Sequence, residues 1–184
     1  PASDPFPSDG KRSDSDSCHE RIFTVFVDGN PLPGYTFTQN TAAHNTPERE
    51  NNMPYSVTQE DILSVSADAA VICVENKMVP TQNPVSLRLA EAGGEAFQNA
   101  LRQKRFLPVG SAWEVPTDAL PFRHILAVAA PHWWNGESNE LYVLRLCYES
   151  IYSLAGELGL RSVAMPYLSA MYYHYPQTEA VNVA

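Results

Sequence analysis

Three absences set the first limits on this chain of 184 residues. Cysteine is scarce. Cys18, Cys73 and Cys147 lie far apart, their number is odd, and no C-x-x-C occurs. That argues against a disulfide framework and against a structural zinc site. Cys73 and Cys147 sit in apolar periodic segments and read as core thiols, so the expected compartment is intracellular and reducing. Basic runs are missing too. None is longer than Lys11-Arg12 or Lys104-Arg105, and the formal net charge is −9. An acidic surface disfavours sequence-independent binding of DNA or RNA, which needs clustered Lys and Arg. Finally, no apolar run approaches the ~18 residues of a membrane span. The opening PASDPFPSDGKRSDSDSC has no apolar signal-peptide core and is too acidic for a typical transit peptide. It begins without Met, which leaves a processed or trimmed precursor open.

What is present suffices for one domain with a real core, since 44% of the residues are hydrophobic. Residues 1–21 are rich in Pro, Ser, Asp and Gly and read as a disordered or partner-bound tail. Ile22 to Val27 (IFTVFV) is β-branched and aromatic and reads as a strand closed by Asp28-Gly29-Asn30. Pro31 to Pro54 is a polar excursion with four prolines. Loops of that length are usually functional, disordered or held by another surface. Residues 22–54 therefore form an extension ahead of a domain at 55–184.

Within that domain, Tyr55 to Gln59 is a short strand. Ala69 to Val74 (AAVICV) is apolar at consecutive positions, as in a strand buried on both faces. Val85 to Lys104 has helical spacing, broken into two pieces by Gly93-Gly94. Ala112 to Val115 is a short strand, and His124 to Ala130 (HILAVAA) is a second buried one closed by Pro131. Ser138 or Asn139 can cap the next helix. Its apolar stripe runs from Leu141 through Leu144, Cys147/Tyr148, Ile151 and Leu154/Ala155 to Leu158, and Gly159 ends it. Ser162 to Met165 is the third buried strand, stopped by Pro166. The loop Tyr167–Pro176 follows, and Gln177 opens another helix. Strands alternating with helices predict an α/β domain with a mostly parallel sheet.

The pieces resemble a macro domain, the ADP-ribose-binding α/β module. The best match is LYVLRLCYESIYSLAGELGLRSVAMPYLSAMYYHYP, residues 141–176. Leu144, Cys147-Tyr148, Ala155, Glu157, Gly159, Ser162-Val163-Ala164, Pro166, Ser169, Tyr173 and Tyr175-Pro176 are in step with the family pattern. Upstream, Gln59-Glu60-Asp61-Ile62 resembles the family's Q-G-D-I. Pro108-Val109-Gly110-Ser111-Ala112 resembles P-T-G-E-A, and Val128 to Pro131 resembles the T-V-G-P strand end. Asn83-Pro84-Val85-Ser86 is similar to the branch of ganglioside-induced differentiation-associated proteins.

The resemblance implies a three-layer α/β/α fold, its last strand absent or cut off, with a cleft at the strands' carboxyl ends. It implies that Asp61, with Ile62, takes the adenine amino group. Asn76 holds the distal ribose, with Glu75 as the competing choice of register. Ser169, Ala170, Met171, Tyr172 and Tyr173 line the second phosphate loop. The phosphate loops depart from the family. Lys77 to Ser86 (KMVPTQNPVS) has no glycine, and Met171 and His174 stand where the family has glycines. If those positions require positive φ, each costs on the order of 1 kcal/mol or more. Glu75, His174, Tyr172 and Tyr173 are the remaining candidates for activating a water. His124 and His132 share no ligand spacing with Cys or carboxylates, so no metal is expected, and no cofactor. Trp133-Trp134 reads as a lid or an interface patch. The expectation is a non-catalytic module with a degenerate pocket for ADP-ribose or a related adenine nucleotide diphosphate. The alternatives are a structural subunit, held through residues 1–54, Trp133, Trp134 and the C-terminal edge, and an ADP-ribosyl hydrolase.

Overall fold

The computed structural model describes residues 22–26, 55–168, 174–176 and 183. The expected tail, the whole excursion Pro31–Pro54, loop residues 169–173 and the helix expected from Gln177 lie outside the described residues. Six strands form one sheet in the order β2-β1-β6-β3-β5-β4. They are β1 (Ile22–Phe26), β2 (Tyr55–Thr58), β3 (Ala69–Val74), β4 (Ala112–Val115), β5 (His124–Ala129) and β6 (Ser162–Pro166). Two long helices, α1 (Pro84–Lys104) and α2 (Glu140–Glu157), cover its two faces.

The consecutive apolar residues of β3 and β5 explain the layering. Successive side chains of a strand point to opposite faces. Ala70, Ile72 and Val74 join Ile125, Ala127 and Ala129 beneath Leu89, Phe97 and Leu101 of α1. Ala69, Val71 and Cys73 join Leu126 and Val128 beneath Leu144, Cys147, Tyr148, Ile151 and Ala155 of α2. Every residue of β3 is buried.

The parallel arrangement is confined to the central strands β6, β3 and β5. Antiparallel strands flank them on both sides. β1 pairs with both β2 and β6, so Ile22–Phe26 is an internal strand of this sheet. Its β-branched and aromatic composition was readable; its distant partners were not.

β4 runs antiparallel because α1 turns back on itself. Gly94 (φ 62°, ψ −157°) breaks α1 into two helical pieces. That backbone is open to glycine and strained for other residues. Gly93 beside it has no room for a side chain, since a Cβ there would lie 2.6 Å from the Cβ of Phe97. The chain therefore leaves at the carboxyl end of β3 and returns at the carboxyl end of β5, where Ala112 pairs with Val128. α2 ends as its sequence indicates. Gly159 has φ 66°, its N–H donates to Gly156 O (3.1 Å), and Leu160 N–H donates to Ala155 O (2.9 Å). This is the Schellman arrangement that satisfies the last carbonyls of a helix.

Candidate functional site

The chain leaves β3 toward one face of the sheet and β5 toward the other. Adjacent parallel strands whose connections part in this way create a crevice outside their carboxyl ends, the usual ligand position in open α/β sheets. The sheet also opens there. β3 pairs with β5 from Ala69 to Val74 but with β6 only through Ala69 and Ala70.

The first loop fills part of that opening. Glu75 N–H donates to Val79 O (2.7 Å), and Met78 N–H to Glu75 O (2.8 Å). Met78 sits at φ 64° with its side chain 1% exposed. Thr81 N–H returns to Cys73 O (3.1 Å), and Cys73 N–H is taken by Ser86 Oγ (3.0 Å). Asn83 caps α1 by accepting from Ser86 N–H (3.1 Å), with Pro84 in the first turn. The N–H groups of Glu75, Met78, Thr81, Ser86 and Leu87 thus serve the loop itself. A glycine-rich loop would instead turn such donors outward to an anion. Thr81 Oγ1 is buried with no hydrogen-bond partner among the described residues, a hydroxyl that a ligand or water can satisfy.

Asp61 caps a 3-10 turn, Ile62–Ser64, through its Oδ1, which accepts from Leu63 N–H (3.0 Å). Its Oδ2 accepts from Arg88 Nε of α1 (2.9 Å). The Leu63 N–H, and after it the Arg88 guanidinium, hold this carboxyl below the usual range. Asp61 remains 41% exposed and ionised. Ile62, at 2% exposure, anchors the turn in the core.

Glu75 and His132 leave the ends of β3 and β5 and meet across the crevice, Oε1 to Nε2 at 3.4 Å. Both side chains are roughly half-buried. Asn76 is exposed, and its carbonyl accepts from Leu107 N–H (2.9 Å). It therefore tethers the returning end of α1, while Glu75 is the residue that reaches across to β5.

The loop from β5 to α2 is built around a carboxylate. Glu140 is buried. Its Oε1 accepts from the N–H groups of Trp134, Asn135 and Gly136, each at 3.3 Å, and its Oε2 from Ser138 N–H (2.8 Å). Burial pushes its carboxyl up, but the backbone donors outweigh that and hold it below the usual range. Asn139, at the cap position of α2, is in the left-handed region and makes no side-chain cap, and the Glu140 carboxylate instead gathers the N–H groups of the loop ahead of the helix. Tyr175 O–H donates to Glu140 O (3.1 Å), and its ring lies 5.1 Å from that of Trp133. The two tryptophans therefore part company. Trp133 packs inward, and Trp134 is 84% exposed.

Of the residues expected to bind ligand, Asp61, Ile62 and Asn76 are described, and Ser169, Ala170, Met171, Tyr172 and Tyr173 are not. His174 stands at φ 59°, the strained region its glycine-replacing position suggested. Sequence reasoning missed Arg88, the Glu75–His132 contact and the role of Glu140. Only Glu140 had a local signal, an acidic residue in the first turn of a helix. Among the described residues no group of His, Cys, Asp and Glu could hold a metal ion, and no helix is long and apolar enough to cross a membrane.

The model of the Macro domain family matches residues 75–184. A macro domain-containing protein of Mesorhizobium japonicum is 32% identical, over 67% of this chain and 70% of its own length. The O-acetyl-ADP-ribose deacetylase of Escherichia fergusonii is 30% identical, over 70% of this chain and 74% of its own. The solved Oceanobacillus iheyensis macrodomain with ADP has a TM-score of 0.64 at 23% identity, covering 71% of each chain. At that identity the likeness speaks for the fold. With the family model matched over more than half its length, the chain belongs to the macro domain family.

Proposed function

We propose that this chain is a non-catalytic binding module for ADP-ribose or a related adenine nucleotide diphosphate. The observation that carries the reading is Asp61. The sequence resemblance matches it to the family's adenine-binding carboxylate, and it caps a turn packed against α1, ionised and 41% exposed. An exposed carboxylate of fixed geometry is an acceptor for an exocyclic amino group. Similarity to a macrodomain solved with ADP and to a relative named for O-acetyl-ADP-ribose supports the ligand class. The first loop supports the loss of turnover. It has no glycine, and its backbone donors serve the loop itself.

Calorimetry with ADP-ribose tests the reading. Saturable heat is expected, with Asp61→Ala weakening binding about tenfold or more, the loss of a hydrogen bond to a charged group. No heat at millimolar ligand would sink it. A second reading, hydrolysis of an ADP-ribosyl ester, draws on the deacetylase among the relatives and on the Glu75–His132 pair. An imidazole oriented by a carboxylate at a crevice is a candidate general base. Acetate release from O-acetyl-ADP-ribose that is lost in His132→Gln would favour it over the binding module.

A further inference from the structure

The Glu75–His132 contact sets the charge of the crevice. Glu75 follows the carboxyl end of β3, and His132 follows that of β5. A ligand held outside those strand ends therefore lies against the pair. The two side chains are 3.4 Å apart and 37% and 47% exposed, so both are within reach of a ligand. Other charged or titratable groups stand on the elements around the imidazole. Lys77, two residues beyond Glu75, is exposed. The Glu140 carboxylate is taken up by the N–H groups of Trp134, Asn135, Gly136 and Ser138. Tyr175, whose ring meets Trp133, donates to Glu140 O, and burial pushes its phenol up. His174 beside it is exposed. Of these residue types, only histidine ordinarily changes charge between pH 5 and 8.

The ligand class proposed above carries a negatively charged diphosphate. A carboxylate beside a neutral imidazole leaves the pair with a net negative charge, which repels that ligand. A protonated imidazole cancels the carboxylate, and its ring then carries two N–H donors instead of one. We infer that His132 is a binding residue for the diphosphate and takes up a proton as the ligand binds, so that affinity rises as pH falls through neutrality. A charge-assisted hydrogen bond to a phosphate oxygen, made only by the protonated ring, supplies the coupling. A protonated ring is a donor and not a base, so the inference rests on the binding-module reading of the site.

Calorimetry on the full chain with ADP-ribose, at about pH 8 and about pH 6, decides it. ADP-ribose serves because its diphosphate is esterified at both ends and keeps its charge over this range. Affinity is expected to rise about fivefold or more on acidification, since each unit by which binding raises a pKa is worth up to a factor of ten. Near neutrality the observed heat should also vary with the ionisation heat of the buffer, in the direction of proton uptake. His132→Gln should abolish both effects and His174→Gln should keep both, with circular dichroism confirming the folds. Should His132→Gln not fold, the wild type and His174→Gln still decide. If affinity is the same at both pH values, if the dependence survives His132→Gln, or if His174→Gln removes it, this inference falls and the binding module stands. If ADP-ribose gives no heat at either pH, both fall.

Discussion

The two ends of the parallel strands are held in opposite ways. At the amino end, Asp68 ties three strands together. Its Oδ2 accepts from Arg161 N–H (2.8 Å) and Ser162 N–H (3.1 Å), where β6 begins. Its own N–H donates to Ser162 Oγ (3.0 Å), and its carbonyl accepts from His124 N–H (3.2 Å), where β5 begins. His124 Nδ1 lies 2.7 Å from Glu114 Oε1. At the carboxyl end the corresponding contact is Glu75–His132, longer at 3.4 Å and with the imidazole 47% exposed against 20% for His124. The same pair of residue types thus appears at both ends of β5. At one end it lies beside bonds that align the strands. At the other it bridges loops that part to opposite faces. Chemistry alone does not tell the two pairs apart; position in the sheet does.

The largest expected effect is at the amino end. Asp68→Ala leaves the backbone N–H groups of Arg161 and Ser162, at the start of β6, without their acceptor and should destabilise the fold by about 2 kcal/mol in urea denaturation. Asp61→Ala removes a carboxylate at the opposite end, but with it only an exposed ion pair and a one-turn cap. It should cost about 1 kcal/mol or less. Equal losses would erase the distinction between the ends.

Acid sharpens the comparison. The Arg161 N–H, with Ser162 and Arg123 behind it, holds Asp68 below the ordinary value of 3.8 against a smaller opposing effect of burial. The unfolded chain therefore takes up the proton first as pH falls. The stability from Asp68 is complete above its unfolded value and disappears below it, as pH drops through the folded value. Asp68→Asn should flatten that limb of the stability-against-pH curve, measured by thermal melts between about pH 5 and 2. Asp61 has the same sign and greater exposure, so Asp61→Asn should change the limb less. The smallest effect belongs to Glu75→Gln. An exposed contact of this length should alter stability by about 0.5 kcal/mol or less. A loss as large as that of Asp68→Ala would make Glu75 a structural tie instead.

Much of the fold was legible because its signals are local. Ala69 to Val74 reads as a strand buried on both faces and is one. Gly93-Gly94 reads as a break and stands at one, and Gly159 closes α2. The site was less legible because its contacts join distant parts of the chain. Arg88 is 27 residues from Asp61 along the sequence, and His132 is 57 from Glu75. Neither pair has a spacing that helix or strand periodicity would bring out.

By itself the sequence determined the alternation of strands and helices, their ends, and the departure of the phosphate loops from the family pattern. Periodicity, caps and glycines act over a few residues, so they can be read along the chain. Only the tertiary structure decided that Ile22–Phe26 is an internal strand, that β4 enters antiparallel, and that Asp61 shares its carboxylate with Arg88. Those outcomes depend on where α1 bends and which strands meet, and such long-range geometry is settled by packing the whole sheet at once.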